Sequence, residues 1–123
     1  MRTPIPSGVG VFVFYGSVTG ALRENRNMQE ITVAELKART NTPLIDVREE
    51  YEFVDGHAPG AINIPMSEIG ARLEELPMEF DVICKAGGRS AQVAMALEPR
   101  GYDVTNVAGG TDAWIMAGYD VER

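Results

Sequence analysis

The chain has 123 residues, 45% hydrophobic and 24% charged, an ordinary make-up for one globular domain around a single core. Eighteen acidic against eleven basic side chains give a formal net charge of −7, and no Lys/Arg cluster offers the phosphate contacts that nucleic-acid binding requires. A lone cysteine excludes an internal disulfide, one cysteine with one histidine makes no zinc set, and the acidic balance gives no attraction to anionic membranes. The expectation is a cytoplasmic protein in a reducing compartment, with no metal and no cofactor.

Residues 1–27 differ from the remainder: a Pro-rich start, an apolar run from Gly8 to Tyr15, then polar Arg23 to Asn27. With Arg2 ahead of it, the run has the look of a weak secretory signal. Gly8, Gly10 and Gly16 interrupt it, no clean small-x-small cleavage site follows, and it is shorter than the roughly 18 apolar residues of a membrane span. Alternating Val9, Val11 and Val13 suit an extra edge strand; the plainer expectation is a disordered extension or a misassigned start. The domain proper is then 28–123.

From Met28 onward, short apolar runs alternate with amphipathic stretches, the pattern of a mostly parallel α/β sheet flanked by helices on both faces. Thr32 and Glu35 fit a capping box, predicting a helix from Val33 to about Arg39 that Pro43 ends. Leu44–Val47 suits a buried strand, Glu49–Val54 a short helix closing at Asp55 and Gly56, and Ala61–Ile64 a second strand stopped by Pro65. Ile69, Leu73 and Leu76 recur at helical spacing between Ser67 and Pro77. Phe80–Ile83 is the expected central strand. Ser90–Leu97 carries Val93, Ala94 and Leu97 on one helical face, and Pro99 with Gly101 finishes it. Asp103–Val107 is the last strand, and Thr111–Ala117 the last helix, with Gly118 as its C-terminal cap.

The most informative segment is Cys84, Lys85, Ala86, Gly87, Gly88, Arg89, Ser90, directly after Val82 and Ile83. A strand that ends on a sulfur, followed by glycines and a helix, aims successive backbone N–H groups at one small volume. A thiol in such a nest ionises readily: free cysteine titrates near about 8.5, and values of about 3.5–7.5 occur at helix N-termini or beside cations. Between Val82 and Leu97 there is no Asp or Glu, only Lys85 and Arg89, so the loop is a positive spot on an acidic chain, suited to a small anion. The plain structural alternative is a buried, inert cysteine ending a core strand, with Gly-Gly as an ordinary turn. Strand and loop agree in placement, since ligands of open α/β sheets sit beyond the carboxyl ends of the strands.

Four ordered segments carry a family resemblance: Asp46-Val47-Arg48-Glu49 with Glu52-Phe53; Gly56-His57-x-x-Gly60-Ala61-Ile62-Asn63-Ile64-Pro65; Cys84-x-x-Gly87-x-Arg89-Ser90; and Gly109-Gly110-x-x-Ala113-Trp114. From about Met28 to Val121 the chain resembles a single-domain rhodanese, a sulfurtransferase. The resemblance implies that Cys84 attacks the outer sulfur of a small anionic donor such as thiosulfate. It then holds that sulfur as a persulfide and passes it to cyanide, another thiol or a sulfur-accepting protein. The N–H groups of Ala86, Gly87, Gly88, Arg89 and Ser90 would stabilise the negative charge, with Lys85 and Arg89 orienting the anion. Asp46 and Arg48 would brace the loop as an ion pair, or else merely cap a strand end. His57 and Trp114 are expected to pack, with Gly109-Gly110 letting backbone approach the loop.

Two rivals follow. Tyrosine-phosphatase-like folds place five residues between nucleophile and arginine, whereas Cys84 and Arg89 enclose four, which makes a phosphatase or arsenate reductase the weaker fit. The other is a non-catalytic rhodanese-like module that binds or senses through the same loop. The chain departs from the family pattern at Pro99, where the helix after the loop usually continues, and in residues 1–27.

Overall fold

The computed structural model describes residues 28–123; the edge strand and the signal considered for residues 1–27 lie outside the described residues. Five strands, β1 (Gln29–Ile31), β2 (Leu44–Asp46), β3 (Ile62–Asn63), β4 (Glu79–Ile83) and β5 (Asp103–Val107), form one sheet in the order β1-β5-β4-β2-β3. All neighbouring pairs run parallel, with the strand ahead of Cys84 at the centre as the sequence predicts. Five helices connect them: α1 (Val33–Ala38), α2 (Glu50–Val54), α3 (Met66–Ile69), α4 (Gly88–Leu97) and α5 (Gly110–Met116).

The sheet is covered on both faces, where the central strands present apolar side chains to the helices. On one side Ile45, Phe80, Val82 and Val104 pack against Met66 and Ile69 of α3 and Val93, Ala94 and Leu97 of α4. On the other, Leu44, Ile83 and Val107 pack against Leu36 of α1 and Trp114 of α5. Helix α1 starts at the predicted capping box: the Glu35 N–H donates to Thr32 Oγ1 at 3.1 Å, and the Thr32 N–H donates to Glu35 Oε1 at 2.8 Å.

Three features differ from the sequence expectation or refine it. Strand β1 is not evident from Gln29-Glu30-Ile31, whose exposed polar residues carry no alternation; it exists through parallel pairing with β5, Gln29 opposite Thr105 and Ile31 opposite Val107. The helix expected across Ile69, Leu73 and Leu76 is broken: α3 stops at Ile69, Gly70 caps it, and a separate 3-10 turn covers Leu73–Glu75. Glycine inside a helix forfeits about 1 kcal/mol relative to alanine, and the break lets Ile69 and Leu73 both reach the core. Pro99 acts as expected, tightening the end of α4 into a 3-10 turn over Glu98–Arg100 that closes at Gly101, φ +97°.

Register sets the site. Asp46 on β2 lies opposite Ile83 on β4, so Val47 and Cys84 leave the sheet side by side at its carboxyl edge. The same sheet buries a charge elsewhere: Asp81, on central β4, is fully buried and accepts from Arg39 Nε and Nη2 at 2.8 and 3.0 Å. Burial pushes the Asp81 carboxyl above its ordinary range, and Arg39 pulls it back only in part. Arg39→Ala should therefore cost about 2–4 kcal/mol in urea denaturation at neutral pH. Because a raised carboxyl favours the folded state as it protonates, that deficit should shrink as pH falls through the Asp81 titration. A constant deficit across this range would mean that the pair is not electrostatic in origin.

Candidate active site

Cys84 is the first residue beyond β4, and its side chain turns back beneath the loop that joins β4 to α4. Gly87, at φ +110°, takes the left-handed conformation that lets the chain reverse into α4 within four residues of the sulfur. The reversal directs the Gly87 N–H to Cys84 Sγ at 3.1 Å, and the first turn of α4 brings Ser90 Oγ to the same sulfur at 3.2 Å. Ser90 is itself fully buried, and Cys84 is only 1% exposed. Burial raises the thiol pKa, but the Ser90 hydroxyl and the Ser90, Gly87 and Ala86 N–H groups outweigh it, leaving the thiol below its ordinary value. The sulfur belongs to the buried core cluster that includes Val47, Val82 and Val93, and two polar donors reach it there.

The loop is fixed from behind by its carbonyls. Cys84 O accepts from the Thr111 N–H at 2.8 Å and from Thr111 Oγ1 at 3.0 Å, while Lys85 O accepts from the Asp112 N–H at 2.9 Å. These donors sit on the first turn of α5, reached through Gly109 and Gly110 at φ +80° and +60°. A side chain at Gly110 would place Cβ 2.5 Å from Lys85 O and 2.6 Å from Cys84 O, so the approach requires glycine. The Gly-Gly pair read from the sequence is thus in contact with the loop, and Trp114 behind it is buried in the core.

Both loop cations already have carboxylate partners. Arg89 donates from Nη1 and Nη2 to the two oxygens of Glu52 on α2, at 2.8 and 2.9 Å, and Lys85 Nζ lies 2.8 Å from Asp112 Oδ2. The Arg89 hydrogen bond is the main reason the Glu52 carboxyl falls to about 2 and the Arg89 guanidinium rises, so this pair stays ionised well into acid. The sequence expectation assigned Lys85 and Arg89 to a donor anion; in the structure each is paired within the chain. Asp46 and Arg48 form the expected ion pair, at 2.8 Å, but the remaining Arg48 side-chain hydrogen bond goes to Gly56 O at 2.9 Å and not to the 84–90 loop. Arg48 acts on the loop only at one remove, its charge helping to hold Glu52 ionised. His57 packs as expected, stacked on Phe53 at 3.7 Å with Nδ1 2.8 Å from Phe53 O.

Sequence reasoning left Glu52 without a role and did not single out Thr111 or Asp112. Glu52 lies 37 positions from Arg89 and Asp112 lies 27 from Lys85, so only the tertiary fold joins them. An open cleft of about 280 Å³ adjoins the loop, with Arg48, Tyr51, Glu52, Lys85, Asp112 and Ile115 among its walls. Among the described residues no cluster of His, Cys, Asp and Glu could hold a metal ion, and no helix is long and apolar enough to cross a membrane.

The model of the rhodanese-like domain matches residues 32–117. The chain belongs to the rhodanese-like family. A putative sulfurtransferase of Bacillus subtilis, YtwF, is 38% identical over 93 residues, spanning 71% of this chain and 90% of that protein. A sulfurtransferase of Allochromatium vinosum is 37% identical over 81 residues, 63% of this chain and 76% of that protein. The crystal structure of a rhodanese-related protein from Thermoplasma volcanium superposes with a TM-score of 0.73 at 34% identity, covering 76% of this chain and 97% of that one. These relatives support a transferase of the rhodanese family, and the neighbouring structure has the same fold.

Two outcomes test the geometry. Gly110→Ala should lower the melting temperature and move the Cys84 thiol pKa toward that of free cysteine. Gly118→Ala, strained at φ +81° but meeting nothing within 4 Å, isolates backbone strain and should leave the thiol unchanged. Ser90→Ala should slow alkylation of Cys84 at neutral pH by about threefold to tenfold, the effect of one lost hydrogen bond to a charged sulfur. Equal alkylation rates in Ser90→Ala and the parent would show that the hydroxyl does not stabilise the thiolate.

Proposed function

We propose that the protein is a sulfurtransferase that carries a sulfane sulfur on Cys84. The carrying observation is the convergence of the Gly87 N–H and the Ser90 hydroxyl on one buried sulfur, with the thiol below its ordinary pKa. In the first half-reaction the Cys84 thiolate attacks the outer sulfur of the donor, and the donor's S–S bond breaks with its electron pair leaving on the remainder, sulfite when thiosulfate is used. In the second, a thiol, cyanide or a sulfur-accepting protein attacks the outer sulfur of the persulfide and regenerates the thiolate. This is ping-pong covalent catalysis, and the N–H groups that hold the thiolate serve equally to hold the charge on the persulfide.

The family membership and the relatives named sulfurtransferases support this reading. A phosphatase would need a free arginine for the phosphate oxygens, and Arg89 is bidentate to Glu52. A thiol that must remain reduced between turnovers suits the cytoplasm.

Incubation of the full chain with thiosulfate should add one sulfur, about 32 Da, to Cys84 in an intact mass spectrum, and cyanide should remove it. Cys84→Ser should show neither the added mass nor turnover while melting as the parent does. An unmodified parent mass after exposure to sulfane-sulfur donors would favour the binding module, and turnover of an aryl phosphate alone would overturn the reaction class.

A further inference from the structure

We infer that Asn106 is a positioning residue for the Cys84 site: its side-chain amide fills the Gly87 carbonyl and so keeps the Ser90 hydroxyl on the sulfur. The inference rests on the sulfurtransferase reading above, in which Cys84 works as a thiolate.

Asn106 is out of place in its strand. It is the fourth residue of β5, between Thr105 and Val107, and is 1% exposed, although asparagine is depleted in strands and seldom fully buried. Its Oδ1, alone among the buried side-chain polar atoms of the described residues, has no hydrogen-bond partner. An unsatisfied buried acceptor is destabilising, so stability does not account for an asparagine here.

The nitrogen of the same amide is well placed. Nδ2 lies 3.0 Å from Glu30 Oε2, on the residue opposite Asn106 in β1, and 3.5 Å from Gly87 O in the Cys84 loop. Both neighbours are acceptors only, which fixes the nitrogen as the end that faces them, with one hydrogen for each.

The Gly87 carbonyl is where this matters. A carbonyl oxygen has two lone pairs, and three donors stand around this one: the Ala91 N–H at 3.2 Å in the first turn of α4, Asn106 Nδ2 at 3.5 Å and Ser90 Oγ at 3.3 Å. The Ser90 hydroxyl carries a single proton and has a second acceptor, Cys84 Sγ at 3.2 Å. With Ala91 and Asn106 on the carbonyl, both lone pairs are taken and the hydroxyl proton goes to the sulfur. Without Asn106, the hydroxyl rests on Gly87 O whenever Cys84 is a neutral thiol, and ionisation must break that bond before the thiolate gains its own. The amide therefore favours the thiolate without touching it.

The charged groups around the site are Glu30, which faces the amide from β1; Arg89 on α4, whose charge is coupled to Cys84; Glu52 on α2, which holds Arg89; and the Lys85–Asp112 pair beside the loop. Asn106→Leu keeps the branching of the side chain and alters none of these charges, so a change in the thiol reports the hydrogen bonds.

Alkylation of Cys84 by iodoacetamide across pH, in the full chain, tests this with the parent, Asn106→Leu, Ser90→Ala and the double variant. Asn106→Leu should slow the reaction about threefold at neutral pH and move its midpoint upward. In the Ser90→Ala background the same substitution should have no further effect, because the hydroxyl through which Asn106 acts is gone. Asn106→Val, a shorter strand-forming residue, carries the same comparison should the leucine variant not fold. Unchanged alkylation in Asn106→Leu would overturn the inference whatever its melting temperature, and equal slowing with and without the Ser90 hydroxyl would overturn it by making Asn106 a strut of the loop. Loading of the parent with sulfur from thiosulfate is read separately by intact mass: its absence would overturn the sulfurtransferase reading and leave the alkylation comparison as it stands.

Discussion

The structure depends on how the peptide groups of the Cys84 loop are divided between two sides. Their carbonyls at Cys84 and Lys85 face outward and are caught by the Thr111 and Asp112 N–H groups at the start of α5. The amide of Gly87 faces inward and meets the sulfur. A peptide unit turned one way cannot serve the other, so the α5 contacts fix the orientation of the nest as well as its position. This explains the close approach at Gly110, where a single added carbon would collide with both carbonyls. Two helix starts, those of α4 and α5, hold one four-residue turn from opposite sides.

Electrostatics refine that picture. Burial alone would make Cys84 a poorer acid, and directed hydrogen bonds reverse the sign. The loop's formal cations contribute less than their number suggests because each is committed to a carboxylate. Arg89 is still close enough for its charge to be coupled to Cys84, yet its two-point bond to Glu52 ties the start of α4 to α2 and makes it as much a clamp as a source of potential. Glu52 also accepts from the Glu49 N–H at 3.0 Å, so the same carboxylate caps α2 and anchors the loop.

Most of the fold was legible because it is written in local signals. The Thr32–Glu35 box, the Phe80–Ile83 run and the Pro99 stop each act within a few residues, and each appears where its chemistry requires. The failures are equally physical. Strand β1 has no pattern of its own and exists only through its pairing with β5. The helix across Ile69–Leu76 yielded to Gly70 despite correct apolar spacing. At the site, the nucleophile and its nest follow from a contiguous stretch, whereas Glu52, Thr111 and Asp112 are distant in the chain. A charge count over the loop could not see that the fold would bring those carboxylates to Lys85 and Arg89.

Since Cys84 is the only cysteine, the pH dependence of its alkylation by iodoacetamide in the full chain reports one thiol without ambiguity. The amide and hydroxyl nest predicts a midpoint below that of free cysteine measured under the same conditions. A midpoint at or above that value would mean that burial wins over the hydrogen bonds and that Cys84 is a structural thiol rather than a sulfur carrier.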